Sequence, residues 1–167
     1  MYFVNIRIFI NKIGIKYIFY LFFIAILHKN AFASNVKMTE GVFMSLKSSE
    51  VNLRAGPNKN FITLYVYKLK YMPVKVIGEY DKWFNIVDKD GNSGWISENL
   101  VSRIRTVITL QDIQFLYSNY SDVAIPIYRV EKNVVARLIK CKESRCKVKI
   151  GKVKGWLNKS DIWGFDG

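Results

Sequence analysis

Histidine is almost absent from this chain. The one histidine among 167 residues is His28, and it lies in an N-terminal segment that we expect to be removed from the mature protein. An imidazole is the base in Ser-His-Asp and Cys-His catalysis and the usual ligand of catalytic zinc. The sequence therefore argues against those enzyme classes. We expect a protein without catalytic residues, cofactor or metal site.

Cysteine is also scarce, with two thiols at Cys141 and Cys146. An even number of cysteines in an exported protein indicates a disulfide. Four residues separate the two, enough for a hairpin turn that places them on adjacent strands within bonding reach. A metal or redox pair is the alternative, although neither an imidazole nor a third thiol lies nearby.

The charge is strongly positive but contains no block of like charges. The formal net charge is +13, and removing Arg7, Lys12, Lys16 and Lys29 with the N-terminal segment leaves +9. This surplus favours anionic partners such as cell-wall polymers or lipid headgroups. Because it is spread along the chain, a solvated basic surface explains it equally well, and nucleic acid is not an expected partner.

Residues 1–33 have the pattern of a signal peptide. Three cations and no acid precede an uncharged apolar run at residues 17–27, and Ala31 and Ala33 then form the small-x-small pattern before Ser34. An uncleaved membrane anchor is the alternative, but eleven residues are too short to cross about 30 Å of hydrocarbon. No second apolar run follows. We expect cleavage before Ser34 and a periplasmic or secreted protein with no transmembrane segment in its mature part.

The remaining sequence predicts an all-β fold. Residues 34–43 are polar without periodicity and indicate an N-terminal arm. Short alternating runs follow at Val51–Arg54, around Val74 and at Trp83–Val87, separated by turn signals such as the DKDGN at residues 88–92. No stretch predicts a long helix. Five or so strands in fewer than sixty residues imply a small, strongly bent barrel.

The pattern returns after about sixty residues. Leu53 corresponds to Leu116, Tyr67 to Tyr128, Trp83 to Cys146, and the run Gly94-Trp95-Ile96 to Gly155-Trp156-Leu157. We therefore expect one domain at residues 44–102, a second with the disulfide at 103–164, and a short tail at 165–167. Residues 102–105 contain neither Gly nor Pro, which favours a fixed pair over flexibly linked domains.

The stretch VNLRAGPNKN, followed by PVKVIGEYDKWFNIVDKDGNSGWISENLVS, resembles the bacterial SH3-like (SH3b) family. The stretch CKESRCKVKIGKVKGWLNKSDIWG resembles a variant found in exported proteins with tandem domains. The resemblance implies two tandem small SH3-like β-barrels. It also implies binding of cell-wall (peptidoglycan) peptide or of an envelope protein. A structural or assembly protein of the envelope is the alternative.

Candidate ligand-binding residues lie in the first copy. Trp83 occupies the position of the SH3 groove tryptophan, and it faces outward if Ile86, three residues later, is in the core. Arg54 and Asn52 share the outward face of their strand; Arg54 could meet a carboxylate, and Asn52 is expected to satisfy loop backbone groups or to touch a ligand. Trp95 is a candidate as well, with packing beside Gly94 as the alternative.

Two departures from the SH3 pattern argue against ordinary proline-rich recognition, because Ser97 and Leu100 replace the proline and tyrosine of that groove. In the second copy Cys146 replaces the groove tryptophan. We therefore expect ligand to bind chiefly to the first copy. The acidic residues Glu79, Asp81 and Asp88 would carry an enzymatic alternative, although we expect them to form an ordinary acidic turn region.

Overall fold

The computed structural model describes residues 37–166, which are almost entirely β-structure. The expected signal peptide and its cleavage site at Ala31, Ala33 and Ser34 lie outside the described residues. No helix in the described part of the chain is long and apolar enough to cross a membrane. Its helical elements are two single 3-10 turns, at Glu98–Leu100 and Lys159–Asp161.

The first module, residues 37–102, forms a seven-stranded antiparallel sheet in the order β3-β2-β6-β5-β4-β1-β7. Its strands are β1 (Lys37–Leu46), β2 (Val51–Arg54), β3 (Thr63–Tyr67), β4 (Pro73–Tyr80), β5 (Trp83–Val87), β6 (Ser93–Ser97) and β7 (Val101–Ser102). The turn between β5 and β6 is the one expected from the DKDGN sequence, and Gly91 has a φ of 85° that suits glycine.

The second module, residues 106–166, forms another seven-stranded sheet in the order β10-β9-β13-β12-β11-β8-β14. Its strands are β8 (Thr106–Thr109), β9 (Ile113–Tyr117), β10 (Pro126–Glu131), β11 (Val135–Lys142), β12 (Arg145–Ile150), β13 (Val153–Asn158) and β14 (Ile162–Trp163). Cys141 and Cys146 lie opposite each other on β11 and β12 and form the expected disulfide.

The two sheets have the same strand order, so the internal repeat predicted from the sequence is confirmed. Loop hydrogen bonds repeat as well: Glu98 N–H donates to Lys82 O, and Lys159 N–H donates to Ser144 O, each at 2.9 Å. These pairs fix the equivalent positions of the two modules residue by residue.

This register corrects two of the expected correspondences. The residue opposite Ser97 is Trp83, and the residue opposite its counterpart Asn158 is Arg145 rather than Cys146. Leu53 pairs with Tyr65, and Leu116 pairs with Tyr128, so Tyr128 corresponds to Tyr65 and not to Tyr67. The hairpin of β5 and β6 (residues 83–97) is one residue longer than the hairpin of β12 and β13 (residues 145–158). Bulges at different places in the other hairpins shift the remaining alignment.

Residues 37–43, expected to lie in a polar arm, belong to β1 and pair with β4. The register of β1 shifts between Met38 and Val42, and Gly41 there has a φ of 87°. Such a bulge interrupts the alternation of inward and outward side chains. The period of two by which strands are recognised is therefore missing from this part of the sequence.

Each module encloses its own apolar core, to which strands such as β2, β6 and β9 contribute alternate, inward-facing side chains. In the first module Leu53, Ile86 and Ile96 are at most 1% exposed, and in the second Leu116, Val148 and Leu157 are equally buried. Gly94 and Gly155 permit this packing, since a Cβ at either would collide with Leu53 or Leu116 respectively.

The modules pack directly on one another, and residues 37–167 form one compact unit. All four residues of β8 are buried, although Val107 alone belongs to the second core cluster. Thr106 donates its hydroxyl to Tyr71 O at 2.7 Å. The rings of Phe43 and Trp163 meet edge to face with centroids 4.9 Å apart. The arrangement agrees with the fixed pair expected from the linker.

Candidate functional site

The four predicted ligand-binding residues share the outer face of three adjacent strands, β2, β6 and β5. Ile86 is fully buried, so the parity of β5 places Trp83 on the opposite, outer side. Arg54 lies directly opposite Trp95 in the β2–β6 pair. Asn52 precedes Arg54 by two residues and has the same orientation. Trp83 and Trp95 are each partly exposed, and neither belongs to the core cluster of the first module.

The guanidinium of Arg54 bonds one backbone group of its own module and has further N–H groups available. Its Nη1 donates to Phe61 O at 2.8 Å and holds the loop between β2 and β3. The ring of Phe61 lies against Gly56, where a Cβ would come within 2.7 Å of ring atoms. A guanidinium carries five N–H donors, so this single bond leaves others for a carboxylate. The expected bond from Asn52 to loop backbone is not present among the described residues.

The outer face of the second module has the same layout with arginine and an aromatic ring at exchanged positions. Tyr117 stands where the first module has Arg54, and Arg145 stands where it has Trp83. The guanidinium of Arg145 lies 3.9 Å from the centroid of the Tyr117 ring. The aromatic-plus-cation combination is thus retained while its members have changed strands.

Arg145 is buried and bonded within its own module. It is 7% exposed, and it donates to Asn158 Oδ1 at 3.0 Å, Ser121 O at 2.6 Å and Asn119 O at 3.4 Å. These bonds tie the β9–β10 loop down onto the sheet. The sequence offered no signal for this role, because the expected alignment placed Cys146 at that position.

The same loop covers Trp156, the counterpart of Trp95. The rings of Tyr120 and Trp156 have centroids 5.4 Å apart, and Trp156 is 5% exposed. Lys142 Nζ lies 3.8 Å from the centroid of the Tyr120 ring, and the hydrogen bond with Tyr120 raises the pKa of Lys142 above its ordinary value. The loop therefore covers the positions equivalent to Trp83 and Trp95 in the second module, and we call this its closed face, although Phe115 on β9 stays exposed. The same positions are partly exposed in the first module, and we call this its open face.

The acidic residues considered for catalysis do not converge. Asp81 lies in the turn between β4 and β5, and Glu79 nearby pairs with Lys37 at 3.5 Å. Asp88 lies beyond the other end of β5, 4% exposed, and accepts hydrogen bonds from the Tyr67 hydroxyl and Asn92 Nδ2. Within residues 37–166 no three His, Cys, Asp or Glu side chains could together hold a metal ion.

A cavity of about 600 Å³ lies in the second module and was not anticipated from the sequence. Its walls are apolar side chains of several strands and its rim is polar; the lining residues are Leu116, Tyr128, Arg129, Val130, Glu131, Val134, Ile150 and Val153. A second cavity of about 450 Å³ lies beside the linker and is lined in part by Phe43, Phe84, Arg103 and Arg105.

The sequence matches the bacterial SH3 domain family over residues 47–103 and again over residues 112–164. No curated protein is detectably similar to the chain. Solved structures similar to it include NlpC2 from Trichomonas vaginalis and an NlpC/P60 family protein from Bacillus cereus ATCC 10987.

The NlpC2 structure is 14% identical, with a TM-score of 0.33 and coverage of 76% of this chain and 51% of that protein. The Bacillus cereus protein is 16% identical, with a TM-score of 0.32 and coverage of 72% and 55%. The chain spans about half the length of these proteins.

Proposed function

Because the chain belongs to the bacterial SH3 domain family, we propose that it is an exported, non-catalytic protein that binds peptide of the cell wall. In this proposal each sheet curls into a small SH3-like barrel, and the ligand lies on the outer face of the first. The observation that carries the proposal is the contrast between the two faces. In the second, a loop covers Arg145 and Trp156. In the first, the equivalent Trp83 and Trp95 are partly exposed, as is Arg54.

The chemistry of the open face suits a short peptide with a carboxylate. Two indole rings on neighbouring strands offer apolar surface, and such surface supplies most of the binding energy in small recognition sites. Arg54 lies beside Trp95 and retains unbonded N–H groups, which suit a carboxylate partner. The positive net charge of the chain attracts acidic wall polymers over longer distances. The disulfide is consistent with an extracellular setting.

The test is binding of the exported protein to purified peptidoglycan fragments, measured by calorimetry. We expect Trp83→Ala to weaken binding by about 2 kcal/mol or more, because it removes the central aromatic surface. Arg54→Ala should cost less and its effect should shrink with added salt, as expected for a charge at the rim of a site.

The matched control is Phe115→Ala, since Phe115 is an exposed ring on the outer face of the second module at the position of Asn52. Circular dichroism checks that each variant folds. If folded Trp83→Ala binds the fragments as tightly as the parent, or if Phe115→Ala loses as much, the ligand does not lie on the open face.

A further inference from the structure

The cavity in the second module lies beneath the free edge of its sheet. Four consecutive residues of β10, residues 128–131, line it. β10 is the terminal strand of the sheet and pairs with β9 alone among the strands of the described chain. Unpaired backbone at a sheet edge is a template for a further strand. The cavity and the edge therefore adjoin each other.

In the first module a polar cluster narrows the equivalent space to a cavity of about 240 Å³, lined in part by Tyr67 and Asp88. The Tyr67 hydroxyl donates to Asp88 Oδ2 at 3.0 Å, and Asn92 Nδ2 donates to the same oxygen at 2.9 Å. The register places Val130, Ile150 and Val153 at the corresponding positions of the second module. Valine in place of tyrosine removes the ring that narrows the space. These replacements therefore account for the larger volume of the cavity in the second module.

One buried polar group near this cavity has no partner. Gln114 is 4% exposed, and neither its Nε2 nor its Oε1 has a hydrogen-bond partner among the described residues. It lies on the inward face of β9, two residues before Leu116 and directly opposite Val130, both of which line the cavity. The first module has apolar Val51 at this position. An unsatisfied buried amide is costly, so its presence calls for an explanation.

The chemistry of the amide restricts what could satisfy it. A glutamine side chain needs a donor for its oxygen and an acceptor for its nitrogen. A carboxylate supplies acceptors alone and would leave Oε1 unpaired, whereas a peptide group supplies one donor and one acceptor. An extended peptide is also the occupant that a free strand edge accepts.

The rim of the cavity favours acidic flanks on such a peptide. Arg129 lines it, and Lys152 lies in the turn between Ile150 and Val153. Lys132 follows the last residue of β10 and pairs with Asp112 at 3.5 Å. Three cations thus stand against two acids, Glu131 and Asp112. The apolar walls and the volume of about 600 Å³ fit one or more apolar side chains.

We propose that the second module has its own binding site for an extended peptide with an apolar centre and acidic flanks. The peptide pairs with the free edge of β10 and inserts apolar side chains into the cavity. Gln114, whose amide can turn on flexible side-chain torsions, bonds a peptide group of the ligand. This site is separate from the open face of the first module and does not depend on the function proposed for it.

The experiment is selection of random heptapeptides displayed on phage against the immobilised exported protein, followed by affinity measurement on the enriched peptides. We expect enrichment of sequences with an apolar centre and acidic flanks. The enriched peptides should bind at least tenfold more weakly to the triple variant Val130→Tyr, Ile150→Asp, Val153→Asn, which reproduces the polar cluster of the first module. They should bind Trp83→Ala as tightly as the parent, which separates this site from the open face.

Two further variants keep the test decisive if the triple variant fails to fold. Val130→Phe fills the cavity without introducing charge and should also weaken binding. Gln114→Leu replaces the buried amide with an apolar side chain. It should weaken peptide binding while leaving the fold intact. The proposal is overturned if no such peptides are enriched, or if they bind Val130→Phe and Gln114→Leu as tightly as the parent. A fatty acid, dodecanoate, is tested as a competing occupant of the cavity. The proposal is also overturned if dodecanoate binds in the cavity without displacing the enriched peptides, since the fatty acid would then be the occupant.

Discussion

At the scale of single residues, the two modules differ most in the positions of their arginine and aromatic side chains on the outer face. Arginine and an aromatic ring exchange places between Arg54 and Tyr117, and between Trp83 and Arg145. In the second module the arginine, Arg145, is buried, bonds three partners and lies 3.9 Å from the centroid of the Tyr117 ring. In the first it holds one loop carbonyl and remains beside an exposed indole. The same two residue types therefore give a closed surface in one copy and a candidate site in the other.

The pH dependence of stability tests the polar cluster formed by Tyr67, Asp88 and Asn92. Burial, and then the neighbouring Asp88 carboxylate, raise the pKa of Tyr67 well above its usual range. The folded protein thus keeps this proton at pH values where the unfolded chain loses it, near pH 10. Stability from the neutral hydroxyl is therefore fully present below about pH 10. Above that pH it declines by about 1.4 kcal/mol per pH unit.

The measurement is urea unfolding between about pH 9 and pH 11 for the parent, Tyr67→Phe and Tyr65→Phe. Tyr67→Phe should lose less stability over this range than the parent, because it has no hydroxyl to ionise. Tyr65 is 52% exposed, so Tyr65→Phe should follow the parent. Equal slopes for all three would contradict the account of the cluster.

At the scale of strands, the hairpin β11–β12 carries the disulfide on one exposed and one buried residue. Cys146 is fully buried in the second core, whereas Cys141 is exposed. We expect Cys141→Ala to lower the free energy of unfolding by about 2 kcal/mol, the entropic contribution of a loop of this length. Binding at the open face of the first module should be unchanged. Urea unfolding and calorimetry of the same variant measure both effects.

Cys146→Ala is the informative comparison, because it removes the same bond and also takes a buried side chain out of the core. It should therefore be less stable than Cys141→Ala. If Cys141→Ala unfolds at the same urea concentration as the parent, the bond does not stabilise this hairpin.

The sequence predicted strands well where turn residues flank an alternating run and poorly elsewhere. β5 has the expected bounds because Lys82 and Asp88 lie in turns on either side. β3 was missed because apolar residues occupy both of its faces, and four of its five residues are exposed. Its pattern therefore lacks the alternation that marks a half-buried strand.

The candidate site could be predicted in the first module and not in the second. Parity along β5 placed Trp83 outward once Ile86 was assigned to the core. The closed face of the second module depends on a loop that folds back onto Arg145, which no local pattern encodes. The cavity likewise depends on Val130 meeting Ile150 and Val153, which lie on a different hairpin.

At the scale of the whole molecule, the junction is built from β8, the linker and the C-terminal residues. β8 is buried on both faces because Val107 faces the second core while Thr106 bonds to Tyr71 of the first module. Gly164 has a φ of 119°, and a Cβ there would lie 2.6 Å from Thr106 O and 2.7 Å from Pro73. Such close packing couples the modules, so they should respond to denaturant together.

We therefore expect the two modules of the parent to unfold in a single transition. Hydrogen exchange should then give equal protection to β5 in the first module and β12 in the second.

Trp163→Ala removes the ring that meets Phe43 across the junction. It should lower the free energy of unfolding by about 1–2 kcal/mol and split the transition in two, because each core remains intact while the contact between them weakens. Phe115→Ala, which removes an exposed ring of similar size far from the junction, should leave one transition. Separate protection of β5 and β12 in the parent would mean that the modules fold independently, and the junction would then not hold them as a fixed pair.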